Sequence, residues 1–271
     1  MDGFQNIFKD KLLETSISFL SGAALIALLF TNSTLYLFAL IAFALLFSYA
    51  WPKLLILKHP ISITLIISTI SIIAIILQTF FTQLGTLSWQ IYIFVLAFLI
   101  AIIDELFINK KDKNPMSSVS YSFFGSFIAV SSVGWISLMQ LTSIAKLYAL
   151  FSLIILCVVS FTPILESKIF EKLNYQHFNY VRFTILGSII AFIGVGSYFF
   201  INAISNNIVS GGPHLSWKLS ALICGILFAV FVVKMVLFSD IHIRGSAFAK
   251  ALFPIMILGT LIYISLTIFA R

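Results

Sequence analysis

Two kinds of side chain in this sequence have the type and spacing to do chemistry, and neither forms a catalytic motif. The first kind is neutral and lies deep in apolar runs: Gln78, Ser126 and Ser131, with Ser68, Thr69, Ser71 and Ser132 nearby. An amide or hydroxyl at that depth has two uses. It bonds to a neighbouring helix, for roughly 0.6–2 kcal/mol in a membrane, or it lines a cavity for a solute. Gln78, Ser126 and Ser131 are therefore the candidate substrate contacts. The second kind is charged and lies at the junction 104–115, which carries Asp104, Glu105, Lys110, Lys111, Asp112 and Lys113. Near an anionic leaflet each lysine contributes about 1 kcal/mol of attraction. Lys110, Lys111 and Lys113 are the candidate contacts for anionic lipid or a membrane-protein partner.

Other chemistries are not expected. His59, His177, His214 and His242 fall singly in four loops with no ligand-spaced Cys, Asp or Glu, so no metal site is expected. Cys157 and Cys224 sit inside apolar runs and read as small packing residues. The middle of every apolar run lacks Asp, Glu, Lys, Arg and His; Asp104, Glu105 and Glu166 fall at helix ends, within reach of water. Coupling to a proton or sodium ion through a buried carboxylate is not expected on that basis. Intramembrane proteolysis, which needs paired aspartates or a Ser–His arrangement, is not expected either. No cofactor is implied.

The elements that must position these residues are membrane helices. The chain is 61% hydrophobic and 9% charged, against about 45–50% and about 25% in soluble domains. Its mean hydropathy is +1.13. Apolar runs of about 20 residues recur, as a hydrocarbon layer of ~30 Å requires, with no alternating barrel pattern. The expected fold class is all-α, a polytopic helical membrane protein of about nine spans. They cover 12–30, 34–51, 61–83, 88–107, 118–139, 144–165, 181–203, 215–238 and 248–270 in a single domain, 12–271. Residues 1–16, with Phe4, Ile7, Phe8 and Leu12 at helical spacing between charges, read as an interfacial amphipathic segment.

Charge sets the orientation. With the N-terminus inside, 13 of the 16 Lys and Arg fall on the inner face, and Lys146, Lys218 and Arg271 on the outer. That asymmetry follows the positive-inside rule and places the C-terminus outside. Lys234, one turn from the inner end of its span, is expected to snorkel. Trp51, Trp89, Trp135 and Trp217 are expected at the membrane boundaries. The +7 net charge reflects this loop bias, and no nucleic-acid partner is implied. Pro163 and Pro254 should kink their helices. Asn202 to Ser216 reads as the longest outer loop.

Spans five and seven share a pattern. Gly125, Ser126, Ile128, Ala129, Val133 and Gly134 match Gly187, Ser188, Ile190, Ala191, Val195 and Gly196, six of ten aligned positions. A duplicated hairpin would give this, as would the small-residue spacing of closely packed membrane helices.

Two resemblances follow from particular residues. Trp51-Pro52-Lys53-Leu54-Leu55, the basic inner loop, the Ser-x-Ser start of span five, Gly125 and Trp135 resemble permease-like integral membrane proteins of actinobacteria. In that pattern the loop is arginine-rich; here it is lysine-rich. Nine spans with an inside N-terminus, Ala249-Lys250-Ala251 with Phe253 and Tyr263, and Phe161-Thr162-Pro163 are similar to the UbiA prenyltransferase superfamily. That family implies a magnesium diphosphate held by aspartate clusters in two inner loops. Here the first loop, 52–60, has no carboxylate, and the second has only Glu166 and Glu171. The leading expectation is a permease-like component or membrane-complex partner in a bacterial plasma (inner) membrane, handling a neutral or lipid-like ligand. The alternative is a UbiA-like intramembrane prenyltransferase, or a degenerate relative, acting on an isoprenoid lipid.

Overall fold

The structure is a computed structural model that describes residues 2–29, 33–57, 60–80, 88–107, 115–140, 143–162, 164, 178–208, 215–238 and 246–269. With no water to bond a free amide in hydrocarbon, each apolar run closes its backbone on itself as a helix. The helices are α1 (Asp2–Leu29), α2 (Ser33–Leu54), α3 (Pro60–Phe80), α4 (Ser88–Phe107) and α5 (Pro115–Ser131). They continue as α6 (Val133–Gln140), α7 (Ser143–Val159), α8 (Phe178–Ile208), α9 (Trp217–Phe238) and α10 (Ala247–Phe269). No strand occurs among the described residues. Taking α5 and α6 as one span, 8 of these helices are long and apolar enough to cross a membrane; Ile144–Val159 in α7 is apolar but shorter. The protein is an all-α, multi-pass helical membrane protein.

Two spans occupy the middle. In α5–α6, 78% of the apolar window is buried, and in α10 61%, against 28–39% for the others. α10 packs on α1, α2, α5, α6, α7 and α9, and α5–α6 on α2, α3, α4, α7 and α10. At the flanks, α4 packs mainly on α3 and α5, and α8 mainly on α7 and α9.

The two central helices run in the same direction and cross at glycines. A Cβ on Gly134 would lie 2.2 Å from the Thr260 backbone nitrogen; one on Gly259 would lie 2.6 Å from Trp135 Cδ1. Backbones approach this closely only where small residues face each other. The expected span five is broken there, at Ser132. Ser132 N bonds Ala129 O at 3.2 Å and Trp135 N bonds Ser132 O at 3.1 Å, closing over three residues instead of four. Trp135 N is thereby drawn from the Ser131 carbonyl. That carbonyl accepts the Thr260 hydroxyl at 2.6 Å, and Trp135 Nε1 donates to Ile255 O at 2.7 Å. The break and the crossing are one feature.

This changes the reading of tryptophan. Trp135 is fully buried in the centre, and Trp51, 3% exposed, donates Nε1 to Tyr121 O at 3.0 Å. Of the four, Trp217 is the one exposed at a helix end. The buried indoles of Trp51 and Trp135 donate to backbone carbonyls, while Trp51, Trp89 and Trp217 lie within a turn of a span end and Trp135 does not. Two boundaries also move. α1 is one helix from Asp2, with Thr15 already buried in the bundle. α8 continues to Ile208, five residues past the expected end at 203, because no Gly or Pro interrupts it before Gly211. Asn202 is therefore helical, and its Oδ1 accepts the Leu215 backbone N–H at 2.8 Å.

α2 ends in a capped turn. Leu57 N bonds Pro52 O at 3.1 Å and Ile56 N bonds Lys53 O at 3.4 Å, the paired bonds of a Schellman motif. The left-handed position, usually glycine, is Ile56 with φ of 53°. A β-branched residue there is strained. Pro254 lies buried inside α10, where it withholds the N–H that the Lys250 carbonyl would accept. Pro163 lies outside the described residues.

Candidate functional site

The neutral candidates separate on inspection of their bonds. Ser131 turns its hydroxyl back to Phe127 O at 2.8 Å, so its backbone carbonyl meets α10 and its side chain does not. Ser152, Ser160 and Ser265 bury their hydroxyls in the same way, against the carbonyl four residues back. Ser126 and Gln78 differ. Ser126 is fully buried and its Oγ has no partner; Gln78 is 1% exposed and its Oε1 has none. The interhelical bond that a deep glutamine usually makes is not accepted by that oxygen.

These two belong to a larger set. Among the described residues, buried side-chain polar atoms without a partner occur on Thr15, Tyr36, Gln78, Gln90, Glu105 and Ser126. All but Thr15 lie on α2, α3, α4 and α5. The opposite half contains comparable polar groups in satisfied pairs. The Ser18 and Ser160 hydroxyls pair at 2.9 Å, and the Ser216 backbone N–H donates to Tyr148 Oη at 2.6 Å. An unsatisfied buried polar group costs about 1–3 kcal/mol, so clustering of such groups in one half needs a reason.

Helix register shows how the set is arranged. Ser62 on α3 donates its hydroxyl to Asp104 Oδ1 on α4, fixing those two helices antiparallel. Phe94 stacks on Phe127 at 4.8 Å and Phe98 meets Phe123 at 5.5 Å, fixing α4 antiparallel to α5. A Cβ on Gly125 would lie 2.5 Å from Ile67 Cδ1, which sets α3 against α5. Glu105 is then level with the first turn of α5, Ser126 with the middle of the span, and Gln78 and Gln90 with the far end. The helical rise puts Ser126 and Gln78 roughly 15 Å apart along the axis. In this register Gln78, Gln90 and Ser131 lie toward the same end and Ser126 nearer the middle, with the Ser131 hydroxyl already bonded within its own helix. The result is a seam of unsatisfied groups between α3, α4 and α5, running from one end of the span to the other.

The charged groups depart furthest from expectation. Asp104 and Glu105 are 6% and 5% exposed, so they are enclosed by protein at their helix end. Asp104 is partnered by Ser62, but neither carboxylate oxygen of Glu105 has a hydrogen-bond partner. Lys234 does not snorkel. Its Nζ is 2.7 Å from Glu14 Oε1, with both side chains largely buried, and 5.6 Å from the Phe231 ring centre. Buried Lys250 joins this group within electrostatic reach of Glu14, Asp10, Lys234 and Lys11. An aromatic chain links α2, α9 and α10: Phe47 to Trp51 at 5.3 Å, Trp51 to Phe238 at 6.3 Å, and Phe238 to Phe253 at 5.2 Å. Lys110, Lys111 and Lys113 lie outside the described residues.

Sequence reasoning missed Gln90 and the enclosure of Glu105. Both lie near helix ends, where hydropathy assigns polar residues to water. One signal was available: at the end of α4, Ala101 precedes Asp104 and Glu105 by three and four residues, continuing the buried face of Ile93 and Ala97. No group of three or more His, Cys, Asp or Glu suited to a metal ion occurs among the described residues. Cys157 Sγ lies where Gly22 would carry a Cβ, and Cys224 Sγ where Gly194 would, so both thiols pack against helix backbone. The chain matches no protein-family model, and no curated protein or solved structure is detectably similar to it.

Proposed function

We propose that this protein is a permease-like component of a bacterial plasma membrane that passes a small neutral, polar solute along the α3–α4–α5 seam. One observation carries the reading. Buried polar atoms without partners are concentrated in that seam, from Glu105 through Ser126 to Gln78 and Gln90. A solute offering an N–H or O–H to Gln78 Oε1 and an acceptor to Gln90 Nε2 would satisfy both. The hydroxyl of Ser126 can donate or accept midway.

The mechanics follow from the packing. α5–α6 and α10 form the fixed side, held by the Gly134–Gly259 crossing and the Trp135 and Thr260 hydrogen bonds. α4 forms the movable side, since it is a flanking helix packed mainly on α3 and α5. Rocking of a peripheral element against a fixed core is a common way to open a membrane site to alternate sides. Broken helices often border such sites, and the α5–α6 break at Ser132 lies about two turns from Ser126.

Osmotic swelling of proteoliposomes with urea, acetamide, glycerol and erythritol tests the reading. Wild-type vesicles are expected to swell faster than protein-free ones for at least one solute. Gln78→Leu and Gln90→Leu should slow that entry about tenfold or more, while leaving thermal stability equal or higher because an unsatisfied amide is removed. Swelling at the protein-free rate for all four solutes would overturn it.

A further inference from the structure

The geometry assigns the basic end of the seam as a binding site for a small monovalent cation, held by Glu105 with Asp104 and Ser62. Glu105 is 5% exposed and both of its carboxylate oxygens lack a hydrogen-bond partner. An ionised carboxylate removed from water without a partner is among the most expensive groups a protein can bury. In a membrane span such a residue marks an ion or proton path by default. Asp104, next to it on α4 and bonded to the Ser62 hydroxyl, supplies further oxygen ligands at the same level. α4 ends at Phe107, so its last turn adds carbonyls without intrahelical donors and the negative end of its dipole. Carboxylate, hydroxyl and helix-terminal carbonyl oxygens together make a hard-oxygen set. Helix C-terminal ends of this kind coordinate coupling ions in transporters.

The occupant is small and singly charged. The enclosure of Glu105 leaves no approach for a side chain of another protein, and two carboxylates fall short of the three-ligand groups that suit divalent metals. Sodium and hydronium share this chemistry. Ser62 on α3 bonds Asp104, and the first two turns of α5, level with Glu105, carry the buried hydroxyls Ser118 and Ser122. Lys58, His59, Lys110, Lys111, Asp112 and Lys113 belong to the adjoining segments outside the described residues. The inference does not depend on the permease reading, because a cation can occupy Glu105 whether or not a solute crosses.

The test is thermal unfolding of the full chain in nanodiscs, in sodium chloride and in choline chloride at equal ionic strength, from pH 5 to pH 8. A ligand that binds only the folded state raises the midpoint with its concentration, so saturating sodium is expected to give about 3–5 °C over choline. Glu105→Gln keeps the shape and removes the charge. It should unfold at the same temperature in both salts, at or above the wild-type value in choline, and Asp104→Asn should weaken the response. Glu14→Gln, in the separate ionic group, should retain the full sodium response. Hydronium is the occupant if wild type shows no sodium response but gains stability as pH falls in choline, and Glu105→Gln lacks that gain; subtracting the variant removes the contributions of all other titratable groups. A wild-type midpoint unmoved by both sodium and acid would overturn the assignment, as would a Glu105→Gln variant that responds as wild type does.

Discussion

Residues 125–134 in α5–α6 and 187–196 in α8 agree at six of ten positions yet occupy opposite environments. Around the first, every residue from Ile128 to Leu138 is buried, and Gly134 presses on the backbone of α10. Around the second, Phe192 is 83% exposed, Val195 58%, and nothing approaches within 4 Å of a Cβ on Gly196. The shared small residues permit close packing, but they do not require it. The unshared positions decide. Val130, Ser131 and Ser132 let another helix in, while Phe192 at the place of Val130 presents a large apolar side chain to the outside.

The largest way to break this comparison is Gly134→Ala. The added methyl has the Thr260 nitrogen at 2.2 Å and the Gly259 carbon at 2.3 Å, both backbone atoms that do not rotate aside. The expected loss is at or beyond the ~3 kcal/mol upper range of ordinary overpacking, seen as a collapse of the monodisperse peak in size-exclusion chromatography.

The ionic group beside α10 gives the next effect. Lys234→Met leaves Glu14 buried without its partner and should destabilise by about 3–5 kcal/mol in reversible denaturation. Adding Glu14→Gln should recover more than half of that loss. Full additivity of the two substitutions would show that the pair is uncoupled.

The smallest effect sharpens the contrast. Gly196→Ala, the counterpart of Gly134→Ala, meets open space and should stabilise by up to ~1 kcal/mol through helix propensity. A loss of stability there would mean that another molecule packs on that face of α8.

Hydropathy made the spans legible because the hydrocarbon layer imposes one length on every helix, and α4 begins and ends at the expected residues. What it left out was each helix's neighbours. Trp135 and Trp217 look alike to any rule based on boundaries, but one is fully buried against Ile255 O and the other is 66% exposed. The break at Ser132 was hidden for a related reason. Ser131, Ser132 and Val133 suit a membrane helix, and the distortion comes from Thr260 and Trp135, partners over a hundred residues apart in sequence. Of the site, Gln78 and Ser126 were visible as polar residues at depth. Gln90 and Glu105 were not, because one turn from a helix end burial is decided by neighbouring helices and not by the lipid.

The position of α10 has a consequence for biogenesis. It contributes most of the contacts at the centre, but it follows every other described helix in the chain. While the earlier helices enter the membrane, the Ser131 carbonyl and the Trp135 indole have no partner, and the bundle surrounds a gap. Final closure must wait until α10 leaves the insertion machinery. Any delay leaves an assembly with its peripheral helices in place and its middle open, a state well suited to recognition by membrane proteases.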